Sequence, residues 1–207
     1  MSILLLGANG RTGRAFMEQA LAAGLSVRAV VRSTDRLSDV RHNHLEICVA
    51  DPTNADALAE LMSGQSAVVS ALGPRSPGKS ASMIYSRSGT AIVSAMQKTG
   101  VSRLIVTSTA LLFPDQGVFE KVLSFLVGQM VGEAKKMENT IKASRLDWTT
   151  ARLGFLTNES AASYRVSREQ PVSGSKSVSR MAVAHFLVDA LRTGEYCNEC
   201  VGIGDPA

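Results

Sequence analysis

Three glycines at the spacing G-x-x-G-x-x-G, namely Gly7, Gly10 and Gly13, directly follow the short apolar run at residues 3–6. A buried strand that ends in a glycine turn and opens a helix can hold a dinucleotide pyrophosphate. The turn needs unusual backbone angles, and a Cβ would keep the backbone away from the phosphates. The N–H groups and positive dipole end of the helix then face the anion. The spacing differs from the G-x-G-x-x-G of common dehydrogenases, and the other reading is an ordinary strand-to-helix turn. The strand–turn–helix context favours the dinucleotide.

A second set of residues bears on which dinucleotide. About twenty residues past the glycines, NAD-specific folds place an acidic side chain for the ribose 2′-hydroxyl. This chain has Arg32 there, with Arg36 four residues on. Two guanidinium groups suit a 2′-phosphate, at roughly 1.5–3 kcal/mol per charge-assisted bond. NADP(H) is therefore expected over NAD(H), the other reading being two solvated arginines. Asp35 could pair with Arg36 or bind ribose. Asp51 could accept from an adenine amine or cap the helix that begins near Asn54. Ala71-Leu72-Gly73 ends the fourth apolar run, and small residues there would let the chain pass close to the cofactor.

The elements that must position these residues alternate between short apolar runs and helical segments, the pattern of βαβ units and a parallel sheet. Strands are expected at 3–6, 27–31, 45–49, 67–71, 103–107 and 148–151. Helices are expected at 12–23, 55–62, 82–99, 133–144 and 180–192. The runs are almost continuously apolar, as in strands buried on both faces. The fold class is thus α/β, a doubly wound parallel sheet in one domain over residues 1–207. Residues 169–179 read as a loop or short strands able to cover a substrate. Residues 118–131 read as a well-buried helix, a homodimer contact, or an apolar wall of the substrate site.

Composition sets bounds. The chain has 207 residues, 45% hydrophobic and 19% charged, with a net charge of +4. Aromatic residues are 5% and the basic residues are dispersed, so no nucleic-acid surface is expected. No run approaches the ~18 apolar residues of a membrane span, and the N-terminal stretch lacks the basic flank of a signal peptide. Three cysteines suit a reducing, cytoplasmic setting. The Cys197-x-x-Cys200 pair has no second pair or histidines at ligand spacing, so no metal is expected.

Residues 7–13, Val31-Arg32, Ala50-Asp51, Thr107-Ser-Thr-Ala110 and Leu146-Asp-Trp-Thr-Thr-Ala-Arg152 together resemble the atypical short-chain dehydrogenase/reductases. Within these the chain is most similar to the flavin reductase/biliverdin-IXβ reductase group and the NmrA-like proteins. The resemblance implies a Rossmann fold with a small C-terminal substrate-covering part and NADPH as hydride donor. Substrate-side elements would come from about 110–132 and 153–180. Gly7, Asn9, Gly10, Arg11, Thr12 and Gly13 would cradle the pyrophosphate, and Arg32 and Arg36 would hold the 2′-phosphate. Asp51 would lie by the adenine, and Leu72 and Gly73 would pass under a ribose with Arg75 nearby. Ser108 and Thr109 would stand beside the nicotinamide as catalytic residues.

Two departures narrow the chemistry. Short-chain dehydrogenases that oxidise alcohols use Tyr-x-x-x-Lys. Four residues after Tyr85, Tyr164 and Tyr196 stand Gly89, Arg168 and Cys200, so the motif is absent. A histidine that the biliverdin reductase group has near its substrate aligns with Phe155. Arg75 and Lys79 could attract an anionic acceptor, Lys135 or Lys136 could approach the place of the absent lysine, and Glu138 reads as an i,i+4 partner of Lys142. The expectation is an NADPH-dependent oxidoreductase passing hydride to a small planar acceptor such as free flavin or a quinone. The alternative is an NADP(H)-binding redox sensor that acts through a regulatory protein partner without turnover.

Overall fold

The computed structural model describes every residue except Arg75, Pro77, Asp115, Gln116 and Ala207, and of Phe119 the backbone only. The first half lays down β1 (Ser2–Leu6), α1 (Arg11–Ala22), β2 (Ser26–Val31), β3 (Leu45–Val49), α2 (Ala55–Met62) and β4 (Ala67–Ser70). Next come α3 (Lys79–Ser82), α4 (Ile84–Thr99), β5 (Arg103–Thr109), a 3-10 turn at Ala110–Leu112, α5 (Val118–Leu126) and α6 (Gly128–Lys142). The chain continues through β6 (Asp147–Leu153), β7 (Phe155–Thr157), β8 (Arg165–Arg168), β9 (Ser177–Ser179), α7 (Arg180–Thr193) and β10 (Glu199–Gly204).

Eight strands form one sheet in the order β3-β2-β1-β4-β5-β6-β10-β8. Every neighbouring pair is parallel except β10 with β8. The strands β7 and β9 pair separately. Because side chains alternate along a strand, Ile3 and Leu5 enter the core shared with α1 and α7, while Leu4 and Leu6 enter the core shared with α2, α4 and α6. Both faces are covered, which explains the continuous apolar runs; each fully buried leucine contributes ~1.5–3 kcal/mol. This is the doubly wound Rossmann fold. Its strand order reverses at β1, between β2 and β4, and ligands of such sheets bind at the carboxyl ends there.

The segment at 118–131 is not one buried helix. The chain breaks at Val127 between α5 and α6. On α5, Val118, Val122, Phe125 and Leu126 are exposed, Phe125 to 86%. The amphipathic pattern is present, but among the described residues no element covers that face. No helix among the described residues is long and apolar enough to cross a membrane. No cluster of potential metal ligands occurs among them either.

Candidate cofactor and acceptor site

The glycine turn sits at the carboxyl end of β1. Gly7 has φ +92°, and a Cβ there would stand 2.8 Å from the Ala71 carbonyl oxygen at the end of β4. Only glycine satisfies both the angle and the approach of the two loops. A Cβ on Gly13 would overlap the Gly7 carbonyl group, so the first turn of α1 packs against the loop through a bare Cα. Gly10 is the N-cap of α1 and supplies no side-chain cap, and the first turn holds no acidic residue. The first-turn N–H groups and the positive helix end are left for an outside anion. This chain's residues therefore fit a pyrophosphate: an uncapped helix start behind a loop that cannot carry Cβ atoms at two of three glycines.

Asn9 fastens this loop to the next one. Its Nδ2 donates to the Ser33 carbonyl oxygen at 2.7 Å, while its Oδ1 is buried without a partner among the described residues. Arg36 reaches the Asn9 carbonyl oxygen at 3.5 Å. Arg32 is exposed at the end of β2, with no hydrogen bond or ion pair among the described residues. Asp35 does not pair with Arg36; the nearby carboxylate of Asp39 faces Arg14 instead. Asp51 accepts from Thr53 N–H and Thr53 Oγ1 through one oxygen, while Asn54 caps α2. These Thr53 bonds, helped by Arg32 and Arg87, hold the Asp51 carboxyl below its usual range. Arg75 lies outside the described residues.

Arg11, the first residue of α1, donates to Asn158 Oδ1 at 3.4 Å, and Arg180, the first residue of α7, donates to the same oxygen at 2.7 Å. Arg180 also binds the Leu156 and Thr157 carbonyl oxygens. Burial and then the Arg11 charge lower its pKa. Two helix starts and two guanidinium groups thus adjoin where the chain leaves β7. Sequence reasoning named Arg11 and missed Arg180.

Beside the turn lies a cavity of about 230 Å³, lined by Thr12, Gly73, Tyr85, Thr109, Met130 and Leu156, among others. It brings Thr12 of the glycine turn, the 72–73 loop and the end of β5 to one place. The two hydroxyls of β5 differ. Ser108 Oγ also lines the cavity, but its proton goes to Glu138 Oε1 at 2.7 Å, which leaves its oxygen only as an acceptor. Thr109 Oγ1 accepts from Leu111 N–H at 3.2 Å as the cap of the 3-10 turn, which leaves its proton available.

Behind Ser108 stands a buried ion pair. Arg152 on β6 donates to both Glu138 oxygens, at 3.1 and 2.7 Å, and lies over the Phe113 ring. Burial opposes the Arg152 charge, but Glu138 outweighs it and the pKa is raised. Lys142 lies at 3.6 Å from Glu138, so the i,i+4 pair exists but is the lesser partner. Cys200, fully buried on β10, also faces Glu138. Lys136 pairs with Glu133, and both Lys135 and Lys136 are exposed away from the cavity lining. Neither takes the place of the absent catalytic lysine.

Comparison with known proteins agrees with this geometry. The NAD(P)H-binding family profile matches residues 7–193. A chloroplastic protein of Arabidopsis thaliana is 30% identical over 202 residues, 91% of this chain and 71% of its own. A short-chain dehydrogenase/reductase of Veillonella parvula, solved in complex with NADP, superposes with a TM-score of 0.87 at 22% identity, covering 100% of this chain and 95% of that one. An oxidoreductase of Lactococcus lactis superposes at 0.84 with 20% identity, covering 100% and 91%. The chain belongs to the NAD(P)H-binding family, and its fold is the Rossmann fold shared with these structures.

Proposed function

We propose that the protein is an NADPH-dependent reductase that passes hydride to a small planar acceptor of the quinone or flavin type. The observation that carries this reading is the cavity between the glycine turn and Thr109. Its lining offers hydroxyls and apolar walls but no Tyr-x-x-x-Lys pair. Bound there, a reduced nicotinamide supplies a hydride; the protein binds, orients and excludes water. A quinone or flavin can take its proton from solvent, so no dedicated acid is needed. The choice of NADPH rests on Arg32, whose guanidinium has no ion pair among the described residues. A cytoplasmic setting is part of the reading, supported by three free cysteines.

The test is NADPH oxidation at 340 nm with FMN, riboflavin and a naphthoquinone, with NADH in parallel. Turnover preferring NADPH is expected. Arg32→Asp should weaken NADPH binding by about 10–100-fold and NADH binding far less; equal losses would remove the 2′-phosphate assignment. The exposed apolar face of α5 favours a second reading, an NADP(H) sensor that contacts a protein partner. Equal affinity for NADP+ and NADPH with no turnover on any acceptor would select it.

A further inference from the structure

Tyr85 is the second residue of α4, and its ring belongs to the core beneath β4 and β5. One turn later, a Cβ on Gly89 would come within 2.8 Å of Met137 Cγ. The bare Cα lets α4 press on α6, which also supplies Met130 to the cavity. The ring is 8% exposed and lines the cavity. Its hydroxyl lies beside Gly73, 3.5 Å from where a Cβ would stand, and has no hydrogen-bond partner among the described residues. The hydroxyl opens onto the cavity and is not sealed in the core; phenylalanine would fill the packed space equally well without bringing an oxygen to the cavity wall. The tyrosine is not explained by packing; an oxygen or nitrogen brought by a ligand would complete it.

We propose that the Tyr85 hydroxyl donates a hydrogen bond to a carbonyl oxygen of the hydride acceptor. The acceptor class is a planar ring whose carbonyl is conjugated to the atom that takes the hydride. This rests on the reductase reading above. A bound nicotinamide would supply two electrons and one proton as hydride, being oxidised as the acceptor is reduced, and the negative charge would gather on the acceptor's carbonyl oxygen. Tyr85 stabilises that charge and keeps its own proton; the anion takes its second proton from water. Burial, and then the Glu138 charge, push the Tyr85 pKa up to about 12, so it acts as a donor and not as an acid.

The experiment is Tyr85→Phe, read in four ways. Thermal stability should be unchanged or higher, since the substitution removes an unpaired hydroxyl. NADPH affinity, from its fluorescence, should stay within about twofold. Turnover with a naphthoquinone and FMN should lose about 10–100-fold in kcat/KM. FMN should bind the NADP+ complex about tenfold more weakly. Unchanged kcat/KM overturns the proposal. An equal loss of NADPH affinity also overturns it, because the contact would then be to the cofactor. Wild-type protein that binds FMN but turns nothing over refutes the reductase reading alone, and the binding comparison still decides Tyr85. Wild-type protein that neither turns over nor binds FMN refutes both.

Discussion

Glu138 and Arg152 allow a sharp test of what the buried ion pair does. Their side chains are 3% and 9% exposed, and two hydrogen bonds join them. Glu138→Leu strands a guanidinium that cannot lose its proton, and the expected cost is about 3–5 kcal/mol. Arg152→Met should cost less, because a stranded carboxylate can take up a proton and Lys142 already lies 3.6 Å away. Glu138→Leu with Arg152→Met removes both charges. The Ser108 hydroxyl then lacks its acceptor, at ~1 kcal/mol, and the Cys200 thiol loses a weaker one, so the double variant should lie within about 2 kcal/mol of wild type. The cycle should therefore give a coupling above about 2 kcal/mol. Equilibrium urea unfolding of the four proteins measures it. Additive losses, or a Glu138→Leu variant as stable as wild type, would refute the reasoning.

The other predictions follow from single positions. Gly7→Ala must adopt φ +92° and meet the Ala71 carbonyl, and Gly13→Ala must displace the Gly7 carbonyl. Each should lose more than about 2 kcal/mol by urea unfolding and fail to bind NADPH by fluorescence. Thr109→Val should lower kcat about tenfold or more, while Ser108→Ala should cost ~1–2 kcal/mol of stability with a much smaller kinetic change; the reverse order would reassign the two hydroxyls. For Tyr85 the folded pKa of about 12 exceeds the unfolded value, so the unfolded chain ionises first. Stability should fall by about 2 kcal/mol as pH rises from about 10 to 12, and Tyr85→Phe should lack that part of the loss in urea unfolding at pH 9 and 11.5.

The central strands were legible because they are buried on both faces, which leaves unbroken apolar runs. All six expected strands coincide with β1 to β6 within two residues at each end. The glycine turn was legible because its steric demand is local. The C-terminal strands were legible only in part, β9 falling where a loop or short strands were read. Each of β7 and β9 has three residues, too few to show a period. In β10, Gly202 suggests a turn, yet it is a packing position: a Cβ would stand 2.5 Å from the Gln170 carbonyl oxygen. On α5 the sequence displays an apolar face but carries no information on what lies against it. Tyr85 was passed over because the only motif sought around it was local, whereas the packing of α4 on α6 at Gly89 sets it in the cavity wall.

Glu138 shows most clearly what local reading misses. Spacing within the helix points to Lys142, and that pair forms at 3.6 Å. The stronger partner is Arg152, fourteen residues on and on another element. A clue was nevertheless present. Arg152 interrupts an otherwise uncharged stretch of β6 that is buried from Trp148 to Leu153. A charge held there must meet an opposite charge from the helix packed on that face, because an unpaired one would be far too costly. Among the buried residues of α6, namely Ala134, Met137, Glu138 and Ile141, only Glu138 can supply it. The pairing thus follows from asking which buried charge on one element answers a buried charge on another, and it holds the Ser108 proton at the cavity wall while leaving that of Thr109 free.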